Sequence, residues 1–146
     1  MATKTAVKSK PSKGKGFTAE EKGAMRARVR ELQSPEADGE SELQDKIASM
    51  PPADRALAKR LHALVKANAP TLTSRTYYGM PAYAREGKVV FWYKAADKFK
   101  TRYATIGFSD AAKLDDGTLW ATEYAVTELD PATEARIVAI IKKAAG

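Results

Sequence analysis

The chain predicts an α+β fold, a two-layer sandwich with helices packed on a mostly antiparallel sheet. Three observations carry this. Between Phe17 and Pro70 apolar residues recur at helical spacing; between Pro81 and Val126 the period shortens to the alternation of strands; and after Asp130 helical spacing returns.

In chain order, residues 1 to 16 mix Lys, Ser, Gly, Pro and Thr with almost nothing apolar, which predicts a disordered Lys-rich tail ahead of a single domain over 17 to 146. Thr18 with Glu21 forms a capping box, and Met25, Val29 and Leu32 supply the core-facing stripe of a helix from about 19 to 33. Lys22, Arg26 and Arg30 line its other side. Ser34 to Glu40 reads as an acidic linker. Leu43, Ile47 and Met50 suggest a short helix stopped by Pro51, and Pro52 can open the next one because its missing N–H costs nothing in a first turn. That helix carries Leu57, Leu61, Leu64 and Val65 on its apolar side and ends at Asn68 and Pro70.

A rigid Gly79-Met80-Pro81 turn is expected to lead into a hairpin, Pro81 to Arg85 and Lys88 to Tyr93 around Glu86-Gly87. Ala104 to Phe108 reads as another strand, and Leu119 to Val126 as a fourth, with Trp120, Thr122, Tyr124 and Val126 on one face. Ser109 can start a helical turn and Asp116-Gly117 a tight turn. Asp130-Pro131 supplies the cap and first turn of a helix through about Ala145, with Ile137, Ile140 and Ile141 as its stripe.

The charge distribution narrows the function classes. Five lysines in the tail account for all but +2 of the net charge of +7, so the folded part is nearly neutral. A dedicated nucleic-acid binder usually carries its basic stripe on the folded surface; here the tail, with the Lys22/Arg26/Arg30 stripe, supports only weak, nonspecific attraction to nucleic acid. No apolar run suits a signal peptide or a membrane span, and there is no cysteine, so a cytoplasmic protein without membrane partners is expected.

No catalytic set is recognisable, and a non-enzymatic role is expected. The single histidine, His62, has no carboxylate three or four residues away on its helix to orient it. Gly14-Lys15-Gly16 lacks the strand and the Gly-Lys-Ser/Thr ending of a phosphate loop. Oxygen ligands leave metal binding open: Glu40, Glu42 and Asp45, within an acidic group that begins at Glu36, are the candidate metal residues, although solvated acids and caps account for them more simply. Asp115, Asp116, Glu123, Glu128 and Asp130 form a second such group.

The aromatic segment is the better candidate for recognition. Tyr77, Tyr78, Tyr83, Trp92, Tyr93 and Tyr103 cannot all be buried on one face of a sheet, and half-exposed amphipathic rings favour ligand contact. Tyr78, Met80, Tyr83 and Trp92 are expected to border one concavity with Lys98 at its rim, a site for a small anionic ligand.

The order Tyr78-Gly79-Met80-Pro81-Ala82-Tyr83, then Gly87-Lys88-Val89-Val90-Phe91, Lys98-Phe99-Lys100 and Ala104-Thr105-Ile106-Gly107-Phe108, resembles the bacterial YdhG-like family, a domain-of-unknown-function group. The resemblance covers roughly residues 42 to 145. It implies a compact α+β domain, and because one branch of that family is described as frataxin-like iron chaperones, it implies iron as a ligand and an accessory role with a protein partner. Frataxin-type binding depends on a ridge of surface acids, for which Glu36 to Asp45 is only a loose counterpart.

Overall fold

Two tight turns organise the sheet. Tyr78 and Gly79 have φ of 53° and 80°, and Glu86 and Gly87 have φ of 53° and 83°. Positive φ at both central positions is the type I′ geometry whose twist matches that of the strands it joins. In the computed structural model, which describes residues 16–33 and 38–146, these turns connect β1 (Thr73–Tyr77), β2 (Met80–Arg85) and β3 (Lys88–Lys94). The meander continues through β4 (Ala104–Phe108) and β5 (Glu123–Val126), all pairs antiparallel, in the order β1-β2-β3-β4-β5. Among the described residues five helices complete the α+β fold: α1 (Ala19–Gln33), α2 (Gly39–Ala48), α3 (Pro52–Asn68), the short α4 (Ala96–Phe99) and α5 (Pro131–Ala145). The expected tail and most of the expected linker, including Glu36, lie outside the described residues. Among the described residues no helix is long and apolar enough to cross a membrane.

One sheet face builds the core. Tyr83, Phe91 and Phe108 form a row of ring contacts across β2, β3 and β4, at 4.9 and 5.2 Å between centroids. Leu43 and Ile47 of α2, Leu61 and Val65 of α3, and Ile137 and Ile141 of α5 join them in one apolar cluster. Arg85 ties the end of α5 to the loop after β4 by donating to the carbonyls of Ala145 at 2.6 Å and Ala111 at 2.7 Å, meeting an orphan carbonyl of the helix C-terminus with a cation.

The caps form as expected. Thr18 N–H donates to Glu21 Oε1 and Glu21 N–H to Thr18 Oγ1, at 2.9 and 3.0 Å, and Thr133 N–H donates to Asp130 Oδ1 at 2.8 Å.

Four expectations are corrected. The turn before the hairpin is Tyr78-Gly79; Met80 already belongs to β2, which carries Pro81 to Arg85 as expected, and the sequence reading passed over β1 altogether. The last strand is shorter than expected: Leu119 and Trp120 precede β5, and Leu119 is 87% exposed. Its neighbourhood of Asp, Gly and Thr favours loop, and the ladder to β4 runs only from Glu123 to Val126, with the Thr122 carbonyl accepting from Phe108 N–H at its edge. The third correction is the short α4, which the sequence reading did not foresee. In α1, finally, Val29 and Leu32 are exposed, Met25 is only partly covered, at the edge of the helix facing Tyr77 and Trp92, and the buried residues are Ala24, Ala27 and Glu31. The helix approaches the sheet through small side chains and one carboxylate, so none of its larger apolar residues is buried.

Candidate functional site

The face of the sheet opposite the aromatic core carries the second aromatic group. Tyr77 ends β1, and Trp92 lies on β3 directly opposite Ala82, on the other side of the sheet from Phe91. Their rings meet at 5.3 Å, and the Tyr78 ring stands edge-on to Tyr77 at 4.7 Å. The Trp92 indole can lie flat on the sheet because Gly107 is its neighbour on β4: a Cβ there would come within 2.6 Å of the indole ring.

Between this surface and α1 runs an open cleft of about 380 Å³. Tyr77, Tyr78, Met80 and Trp92 form its floor, with Phe17, Ala24 and Met25 opposite and Phe99 at one end. Its charged groups are Glu21, Glu123 and Lys94. Lys94 holds its ammonium 5.2 Å from the Phe99 ring, and the Arg28 guanidinium lies 4.7 Å from the Tyr77 centroid. The rings around this cleft therefore already receive cations on their negative faces.

The expected ligand residues divide three ways. Tyr78, Met80 and Trp92 come together in the cleft. Tyr83 does not: it is 1% exposed in the core, stacked on Phe91, with its hydroxyl 2.9 Å from His62 Nδ1. Burial, aided by the Glu40 charge, pushes its hydroxyl pKa well up. Lys98 lines a neighbouring groove with Gly79, Lys46 and Lys100, where burial, then the Lys46 charge, lower its pKa against an opposing pull from Glu31. The two side chains part from the cleft for simple reasons: Tyr83 and Trp92 occupy opposite sheet faces, and Lys98 leaves α4 on the side facing the Tyr78-Gly79 turn.

The candidate metal residues also separate. Glu40 accepts from His62 Nε2 at 2.9 Å and from the Gln44 amide at 3.0 Å, with Lys66 at 3.8 Å. Burial alone would raise its pKa, but the Ser74 hydroxyl, Gln44 and His62 outweigh it and hold the carboxyl down at about 2. Ser74 exerts this pull without a full hydrogen bond of its own. Glu42 and Asp45 share a face of α2, as their spacing predicts, in a groove with Arg30 and Lys46. Among the described residues no three His, Asp or Glu side chains are placed to hold one metal ion.

His62 is oriented by a carboxylate after all, supplied by α2 rather than by its own helix. Nε2–H donating to Glu40 and Nδ1 accepting from the Tyr83 hydroxyl satisfies every partner in the row. Running from the half-exposed Glu40 on α2 through the buried His62 on α3 to the buried Tyr83 on β2, this chain of groups joins three elements.

Two further carboxylates escaped the sequence reading, and each grips two successive backbone N–H groups. Asp54 accepts from Ala96 and Asp97 at 3.3 and 3.1 Å and so starts α4. Glu31 accepts from Tyr78 and Gly79 at 2.7 and 2.8 Å and docks α1 on the β1–β2 turn. No local pattern marks either residue, since the partners of Glu31 lie 47 and 48 positions away.

No family model matches the chain, and no curated protein or solved structure matches it either.

Proposed function

We propose that this protein is a cytoplasmic, non-catalytic binding domain whose ligand is a small amine with an apolar or aromatic body, held in the cleft between α1 and the Tyr77–Trp92 surface. The observation that carries this reading is the pairing of those rings with Glu21 and Glu123 at the cleft, where Lys94 is the one cation of the lining and Arg28 sits on the Tyr77 ring behind it. Ring faces attract cations, and the two carboxylates add to that preference. The expectation of an anionic ligand rested on a basic rim of Lys94, Lys98, Lys100 and Arg102, of which only Lys94 lines this cleft, while Lys98 and Lys100 lie in the next groove.

Iron handling, the role implied by the YdhG-like resemblance, draws less support. Glu40 is already engaged by His62, Gln44 and Lys66, and Glu42 and Asp45 lie beside Arg30 and Lys46. Nucleic-acid association keeps one favourable observation, the exposed Lys22, Arg26 and Arg30 on α1.

The test is titration of the full chain with phenethylamine and, separately, phenylacetate, read by tryptophan fluorescence and by thermal shift. Saturable binding of the amine, weakened in both Tyr78→Ala and Glu123→Gln, supports the reading. Preference for phenylacetate, or amine binding indifferent to both substitutions, overturns it.

A further inference from the structure

The side chain that docks α1 is chemically a bound ligand. In an ordinary type I′ hairpin the two central N–H groups face water; here Tyr78 and Gly79 both aim theirs at one carboxylate, that of Glu31, which is 6% exposed. Successive N–H groups converging in this way form a concavity that binds anions generally.

The surroundings hold more positive donors than Glu31 uses. Lys98 comes so near the turn that a Cβ on Gly79 would lie 3.0 Å from its Nζ. Arg28 Nη1 stands 3.7 Å from Glu31 Oε1, buried and without a hydrogen-bond partner. Two amides, an ammonium and a guanidinium thus surround a single negative charge. The rest of the α1 contact is slight, since Ala24 and Ala27 are its only other buried residues.

We propose that the Tyr78-Gly79 turn, with Lys98 beside it, is an oxyanion-binding site that Glu31 fills as an internal ligand, and that an external carboxylate or phosphate competes with Glu31 for it. Entry of that anion removes the paired hydrogen bonds of Glu31 that hold α1 to the turn, leaves Arg28 on the Tyr77 and Tyr78 rings, and loosens the helix. The site is separate from the aromatic cleft: its donors are backbone amides and Lys98, whereas the cleft is lined by rings.

The experiment follows the Tyr78 and Gly79 amide resonances of the full-length protein by ¹⁵N NMR during titration with inorganic phosphate and with sodium acetate at constant ionic strength. In Glu31→Ala, which removes the competitor, phosphate shifts both resonances saturably and about tenfold more tightly than in the wild type. Glu31→Ala with Lys98→Ala loses that gain. A stronger response to phosphate than to acetate assigns a phosphate ligand, and the reverse a carboxylate. In the wild type, high phosphate speeds hydrogen exchange along α1. Resonances in folded Glu31→Ala that ignore both anions, or that respond no more tightly than the wild type, overturn the proposal. Should Glu31→Ala fail to fold, Glu31→Gln replaces it, and unchanged α1 exchange in phosphate-loaded wild type is then decisive against the proposal.

Discussion

His62 Nε2 and Glu40 Oε2 meet at 2.9 Å across the gap between α3 and α2, and the same imidazole reaches Tyr83 on β2 through its other nitrogen. Folding holds the Glu40 carboxyl at about 2 against an ordinary value of 4.5. A depressed carboxylate favours the folded state when ionised, so its contribution is complete above pH 4.5, shrinks as the unfolded chain takes up the proton, and is gone once pH falls below about 2. Glu40→Gln should flatten that part of the stability profile and cost about 1 kcal/mol at neutral pH, a modest figure because the side chain is half-exposed and screened. Urea unfolding between pH 2 and 7 checks both.

Tyr83→Phe separates the core from the cleft. It keeps the ring stacked on Phe91 but leaves His62 Nδ1 buried without its partner, at a cost of about 1–3 kcal/mol. Ligand binding in the cleft should be unaffected. A variant as stable as the wild type by urea denaturation would show that the His62 row contributes little.

Gly39→Ala tests the approach of α2 to β1. A Cβ at this position would lie 2.1 Å from the Ser74 carbonyl oxygen, and backbone cannot step aside as a flexible side chain can. The expected loss is about 3 kcal/mol, visible as a clear drop in thermal midpoint. Preserved stability would mean that α2 shifts as a unit.

Gly107→Ala should disturb the cleft while leaving the core in place. The added methyl meets the Trp92 ring at 2.6 Å and must lift the indole off the sheet. Tryptophan emission should change and amine binding weaken, while far-UV circular dichroism is retained. Binding equal to that of the wild type would remove Trp92 from the ligand site.

How far the sequence could be read depended on whether a feature was local. Thr18 with Glu21, Asp130 with Pro131, Pro52, and the Glu86-Gly87 turn each act within four residues, and each formed as expected. Strand β1 was missed because Ser74 and Thr76, its core-facing residues, are polar; their side chains meet α2 and the strand neighbours. The α1 stripe was misassigned for a related reason: periodicity identifies an apolar side, but the small Ala27 approaches Gly79 closely where a larger side chain could not. Of the ligand residues, Tyr78 and Trp92 were legible as amphipathic rings and Met80 as their neighbour at the turn. The sheet face of Tyr83 was not, because no register was available to set it against Phe91.

A sheet whose spatial order repeats its chain order also constrains how the molecule assembles. Every strand finds its partner in the segment made just before or just after it, so no pairing waits for a distant stretch to diffuse into place. The two type I′ turns close the smallest loops of all, which makes β1-β2-β3 the natural nucleus, and microsecond hairpin closure its first event. Helix α1, held mainly by the Glu31 carboxylate and the Arg28 ring contacts, would then arrive last, and substitutions in it would speed unfolding while leaving the folding rate unchanged.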